Sequence, residues 1–256
     1  MAAHDPESYW NAKAEASAYD PLGAVAHGDP LRDRCIDRVQ QRLMRLALDA
    51  LMSSGGRLPT GGVLDLGCGT GRWVPLLERR GLAYHGIDIS GRMVEIARRE
   101  HPGARFEKFD GQSFPFGAAS FTLVLSMAVI HHNTYPRQER LLDEIVRVLE
   151  PGGALLLMEG IGPRAASDEG VFFYRPVADW SKALADRGLV LGWQRGARYF
   201  AAEHIGTALL GRAGLSAPRL SRPLLRLGAW VDPWLIAARP NRLHDRWMAL
   251  WRKPEV

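Results

Sequence analysis

The segment Val63-Leu64-Asp65-Leu66-Gly67-Cys68-Gly69-Thr70-Gly71-Arg72 constrains the fold more than any other stretch of the chain. A short buried-strand pattern gives way to a helical one across three glycines at alternate positions. Such a joint requires a tight turn and lets a ligand come close to the main chain. A dinucleotide fingerprint, G-x-G-x-x-G, would need its third glycine where Arg72 stands, and no Gly-Lys-Ser/Thr follows to form a phosphate-cradling loop. The G-x-G-x-G spacing after an acid fits a ligand without a pyrophosphate.

From this joint onward, β-rich runs alternate with helical stretches, which predicts βαβ units and a mostly parallel sheet. The expected strands are Gly62 to Leu66, Ala83 to Ile87, Arg105 to Phe109, Phe121 to Met127, Ala154 to Met158, Leu189 to Gln194 and Arg246 to Trp251. Helices are expected at Arg72 to Arg80, Gly91 to Arg99, Pro136 to Leu149 and Val177 to Arg187. The third has Leu141, Leu142, Ile145, Val148 and Leu149 on one face and Pro151-Gly152-Gly153 as its stop. Ahead of the sheet, Asp29 or Pro30 to Met52 reads as an amphipathic helix. About forty residues from Phe200 to Asn241 are too apolar for a linker and read as a helical lobe inserted before the last strand.

Asp88 ends the second strand, where a carboxylate can accept from both hydroxyls of a ribose, and Asp110-Gly111 follows the third strand on the same carboxyl edge. Three acids without a lysine in the glycine loop suit a cationic ligand better than a phosphate. With these residues in place, the chain from about Gly62 to Gly160 resembles the class I S-adenosylmethionine-dependent methyltransferases. The resemblance is carried, in order, by Leu-Asp-Leu-Gly-Cys-Gly-Thr-Gly, Gly-Ile-Asp-Ile-Ser, Phe-Asp-Gly, Ser-Met-Ala-Val-Ile-His-His and Arg-Val-Leu-Glu-Pro-Gly-Gly.

That resemblance implies a Rossmann-like α/β fold, doubly wound, with seven strands in the order 3-2-1-4-5-7-6 and the last antiparallel. Trp247 to Lys253 would be the returning strand. It also implies the cofactor S-adenosyl-L-methionine: Asp65, Gly67, Gly69 and Gly71 along its methionine part, Asp88 with the adjacent Ile89 at the ribose, Asp110 and Gly111 at the adenine, and Ser126 near the sulfonium. Thr122 departs from the Asp that many relatives carry in the fourth strand. The expected organisation is one methyltransferase domain, with an N-terminal helical cap over 1–60, a cofactor-binding core over 61–199, the insertion over 200–243 and the last strand over 244–256.

Methyl transfer needs a positioned nucleophile, and a general base only where that nucleophile holds a proton of high pKa. His131 and His132, after the fourth strand, are the candidates; if the chain is extended there, adjacent side chains diverge and at most one faces the pocket. Hydrogen-bonded anchoring of the loop is the competing role, and neither has the neighbouring ligands a metal site would need. Tyr9-Trp10 and Tyr19-Asp20 resemble an aromatic lid, or pack on the helix of residues 30–52. Phe172-Phe173-Tyr174 and Tyr199-Phe200 stand where substrate walls form.

Charge separates the two ends of the chain. Net charge is +5, but residues 1–150 carry 18 basic against 19 acidic groups and the remaining 106 carry 15 against 9. No basic groove accompanies the cofactor motifs, so a small-molecule acceptor, lipid-like or aromatic, is expected over nucleic acid. Arg212, Arg219, Arg222 and Arg226, followed by Trp230, Trp234 and Ile236, allow three uses of residues 212–236: a solvated face, contact with an acidic carrier or anionic substrate, or peripheral membrane contact. Two cysteines, Cys35 and Cys68, and no leader-like N-terminus suggest a cytoplasmic protein. The alternatives are a non-catalytic cofactor-binding module and an NAD-dependent oxidoreductase.

Overall fold

A computed structural model describes residues 5–16, 29–53, 62–167, 171–200, 221–236 and 244–255. Its elements are α1 (Pro6–Ala16), α2 (Pro30–Ser53), β1 (Gly62–Leu66), α3 (Val74–Glu78), β2 (Tyr84–Asp88), α4 (Gly91–Glu100), β3 (Arg105–Lys108), β4 (Phe121–Met127), α5 (Tyr135–Val148), β5 (Leu149–Gly160), β6 (Ala165–Ala166), β7 (Phe173–Tyr174), α6 (Val177–Ala185), β8 (Val190–Ala197), α7 (Ser221–Val231) and β9 (Arg246–Arg252). The main sheet runs β3-β2-β1-β4-β5-β9-β8. β9 is antiparallel to both β5 and β8, and the other pairings are parallel. This is the expected seven-strand order, with the strand numbers shifted because β6 and β7 form a separate short hairpin.

The central strands are largely apolar on both sides because helices cover both faces. Val63, Leu123, Leu125 and Leu156 point to one side and pack with Ile36, Val39 and Leu43 of α2 and with Val74 and Leu77. Their alternates, Leu64, Val124 and Leu155, meet Leu141, Leu142 and Ile145 of α5 and Trp180 of α6 on the other side. The period of two along each strand thus feeds two cores.

Helix limits differ from expectation in two places. α5 ends at Val148, and Leu149 passes directly into β5, opposite Phe121. Leu149 is fully buried, so pairing with β4 ends the helix before the Pro-Gly-Gly stop is reached. Pro151-Gly152-Gly153 instead lies within β5, where the Gly152 N–H donates to the Lys253 carbonyl at 2.9 Å. The helix expected over residues 72–80 is a single short one, Val74–Glu78, because the glycine turn continues to Trp73 before regular hydrogen bonding begins. α7 opens at Ser221 and gives way to a 3₁₀ turn over Asp232–Trp234, while Arg212 and Arg219 lie outside the described residues. No helix among the described residues is long and apolar enough to cross a membrane.

Candidate functional site

The carboxyl ends of β1, β2 and β4, with α1 laid over them, enclose a cavity of about 520 Å³. That size falls within the range of small-ligand sites. Gly67, Cys68, Gly69 and Thr70 form one wall. Gly67 has φ +68°, and a Cβ there would overlap the Val129 side chain. The glycine is therefore required twice, for its backbone conformation and for the approach of the loop to β4. Gly67→Ala is expected to destabilise the fold by about 1–3 kcal/mol through the left-handed φ and the Val129 overlap, read as a lowered melting temperature; an unchanged melt would show that the loop tolerates the methyl group.

Asp88 lines the cavity beside Ile89. Its Oδ2 accepts the Gly69 N–H at 2.9 Å and its Oδ1 accepts the Ser90 N–H at 2.8 Å, so one carboxylate joins the glycine loop to the start of α4. Burial raises its pKa, and the bonds from Ser90 and Gly69 oppose that rise. Ser90 caps α4, accepting from the Met93 N–H at 3.1 Å, and donates through Oγ to Asn11 Oδ1 at 2.7 Å. This last bond ties α1 to the cofactor edge. Trp10 packs edge-on against His132, with ring centroids 5.0 Å apart, so Tyr9 and Trp10 cover the cavity. Tyr19 and Asp20 lie outside the described residues.

Four residues expected at the cofactor do not line this cavity. Asp65 lies behind the glycine loop, where Tyr84 donates to it at 2.5 Å; burial pushes its carboxyl up to about 7. Gly71 is turned toward His101 and Phe106. Asp110 is exposed and turns back on its own chain, accepting from the Gln112 and Ser113 N–H groups, which hold its pKa low. Its neighbour Gly111 does line the cavity, and Arg137 donates to the Gly111 carbonyl at 3.0 Å. Ser126 is fully buried in β4, one residue short of the cavity, which is lined instead by Met127, Ala128 and Val129.

Both histidines line the cavity, contrary to the expectation that only one could. The reason is local geometry: Ile130–His132 is a 3₁₀ turn, in which successive side chains are rotated by roughly 120° and do not alternate across a strand. His131 Nδ1 is hydrogen-bonded to Glu159 Oε2. Glu159, the penultimate residue of β5, is fully buried and also accepts the N–H groups of Ile130 at 3.0 Å and His131 at 3.1 Å. Burial pushes Glu159 up to about 8 and, with Arg246 nearby, pushes His131 down to about 3. Because their side chains share a hydrogen bond, the proton on one sets the tautomer and charge of the other. An acid closing an otherwise apolar strand run, Ala-Leu-Leu-Leu-Met-Glu, was the available sequence signal for Glu159.

Around the histidines the wall is aromatic. Phe172 and Tyr174 stack with centroids 5.8 Å apart, and His131 lies nearly parallel to both. Phe173, pointing the other way from the short strand, packs on Tyr135. Tyr199 also lines the cavity, whereas the Phe200 ring carries the Arg32 guanidinium. At this end Gln40 donates to the Tyr199 hydroxyl at 2.5 Å and accepts from Arg72, while Arg246 lies 4.5 Å above the Tyr199 ring. The cavity thus has a glycine-and-carboxylate end and an aromatic end bearing a buried base pair and two guanidinium groups.

Residues 64–157 match the family described as "Methyltransferase domain". A fatty-acid O-methyltransferase of Mycolicibacterium smegmatis is 34% identical over 137 residues, 52% of this chain and 45% of that protein. A probable tRNA methyltransferase 9B of Mus musculus is 37% identical over 130 residues, 49% of this chain and 27% of that protein. The chain spans under half the length of these curated relatives. Over 99% of this chain and 100% of the other, the fold is similar to geranyl diphosphate C-methyltransferase from Streptomyces coelicolor A3(2), with a TM-score of 0.63 and 17% identity.

Proposed function

We propose that residues 64–157, which match the methyltransferase-domain family, form a class I S-adenosylmethionine-dependent methyltransferase domain and that the chain methylates a small, largely apolar acceptor, with His131 as general base and Glu159 as the residue that positions it. The observation carrying this reading is that one cavity joins the glycine loop and Asp88 to the His131–Glu159 pair and an aromatic wall. The residues suit the cofactor: the Gly67–Thr70 loop presents its backbone as one wall of the cavity, and Asp88 is a buried carboxylate beside it. Gly67, Gly69, Asp88, Ile89 and Gly111 would hold it. Bound there, S-adenosylmethionine supplies a methyl carbon already activated by its sulfonium.

The chain's own task is then to place a nucleophile and, for a hydroxyl-type acceptor, remove its proton. With Nδ1–H directed at Glu159, His131 Nε2 is left with the lone pair that accepts this proton. Trp10, Phe172 and Tyr174 provide flat apolar surfaces that orient an acceptor and exclude water. These surfaces, and a first 150 residues with a slight acidic excess, favour a small molecule over tRNA.

The pH dependence follows from the pair. As pH falls through about 8, the value to which burial raises Glu159, the pair gains a second proton and Nε2 becomes protonated. A protonated Nε2 cannot act as a base. Activity is therefore expected to rise with pH and level off above about 8, and a kcat profile with its limb at 6.5, as for an ordinary histidine, would contradict the shared titration.

Arg246 and Arg72 at the cavity favour a second reading, an acceptor bearing a carboxylate that needs no base. Turnover with methyl-labelled cofactor and two acceptor pools, fatty acids and apolar alcohols or phenols, separates the readings. Labelled ether that disappears in a His131→Phe variant supports the first. Labelled ester formed equally by that variant supports the second, and label in neither pool, with the cofactor bound, contradicts both.

A further inference from the structure

Away from the cavity, the outer face of α7 meets the outer face of α2. α7 is anchored by Leu225, which is buried and whose carbonyl accepts from Cys35 Sγ at 3.3 Å. Its other face is open. Leu227 is 54% exposed, Trp230 73%, Trp234 71% and Leu235 45%, an apolar group of unusual size for a face turned to water. The exposed charges around it are mostly basic. Arg222 and Arg226 are exposed one turn apart on α7, and Arg34, Arg38 and Arg42 follow at four-residue intervals along α2.

The two sets of residues interlock. Arg38 lies 5.9 Å from the Trp230 ring and Arg42 lies 4.6 Å from the Trp234 ring. Arg34, Arg38, Arg226 and Trp230 border one shallow hollow. Of the acids on and beside the same elements, Asp33 and Asp232 are buried, Asp37 faces Arg72 at 3.5 Å, and Asp29 lies beside Arg222.

We propose that this α2–α7 face docks on an anionic lipid membrane. Indole rings favour the headgroup level of a bilayer, where the apolar ring is buried and the N–H stays wet, and guanidinium groups stacked on them meet lipid phosphates. Either feature alone would suit another polyanion. Projecting Trp and Leu side chains among the arginines are what distinguish a bilayer from a phosphate backbone or an acidic peptide, neither of which buries apolar surface of this extent. The opposite side of α2 supplies Ile36 and Gln40 to the cavity, so docking here would hold the cavity close to the lipid phase.

The test reads binding, not methyl transfer, so its failure leaves the proposed reaction untouched. The full chain is sedimented with phosphatidylcholine vesicles and with vesicles also containing phosphatidylglycerol. Binding to the anionic vesicles only, weakened at about 0.5 M NaCl, is expected. Replacing Trp230 and Trp234 together by Ala is expected to lower the bound fraction roughly tenfold, and Arg222→Glu with Arg226→Glu at least as much. An unchanged melting temperature shows that both variants fold. Equal binding to both vesicle types, binding undiminished in the tryptophan variant, or retention by RNA or polyglutamate with no vesicle binding would each overturn the proposal.

Discussion

Glu159→Gln is expected to lower kcat by about 10²- to 10⁴-fold, the usual contribution of a positioned general base, while affinity for S-adenosylhomocysteine stays the same. The carboxylate accepts from His131 Nδ1 and from the Ile130 and His131 N–H groups. A carboxamide can accept with only one of its two ends. With its NH₂ toward His131 it forces the tautomer whose Nε2 carries the proton; with its NH₂ toward Ile130 it leaves a buried donor unpaired, at a cost of about 1–3 kcal/mol. His131→Phe keeps a ring against Phe172 and Tyr174 but removes the base, and should lose as much activity. Because the two residues act as one unit, the double variant should fall little further than either single one. Additive losses would show that Glu159 contributes by a route other than His131.

Asp88→Ala is expected to weaken S-adenosylhomocysteine binding by about 3 kcal/mol, on the order of a hundredfold. Hydrogen bonding to a ribose accounts for only part of this. The same carboxylate accepts the Gly69 and Ser90 N–H groups, so its removal also frees the glycine loop that forms the cavity wall. Isothermal titration measures the effect. Unchanged affinity in a folded variant would remove Asp88 from the site.

The scaffold was largely legible because its signals are local. Glycines at alternate positions, β-rich runs and the apolar stripe of Leu141, Leu142, Ile145 and Val148 on α5 are all contained within short windows, and they lead to the strands and their carboxyl edge, whereas the order of the strands followed from the family resemblance. Asp88 was legible for the same reason, since an acid at the end of the second strand has one edge to stand on. The histidine turn was misjudged because its conformation depends on Glu159, 28 residues away, whose carboxylate gathers the N–H groups of the turn. Asp65 shows the converse. Its position beside the glycine loop suggested a ligand contact, but a partner on the neighbouring strand, Tyr84, occupies its carboxylate. Such pairings depend on strand register and cannot be read from spacing alone. Arg72 excluded a dinucleotide fingerprint by its position, yet its place beside Gln40 at the cavity required α2 to be docked.

The central claim is that the cavity between the glycine loop and the His131–Glu159 pair holds S-adenosylmethionine. Calorimetric titration of the full chain with S-adenosylmethionine, S-adenosylhomocysteine and NADH tests it most directly. Saturable one-to-one binding of the first two, weakened on the order of a hundredfold by Asp88→Ala, with no heat from NADH, is the predicted result; saturable binding of NADH with no response to either sulfur compound would contradict it.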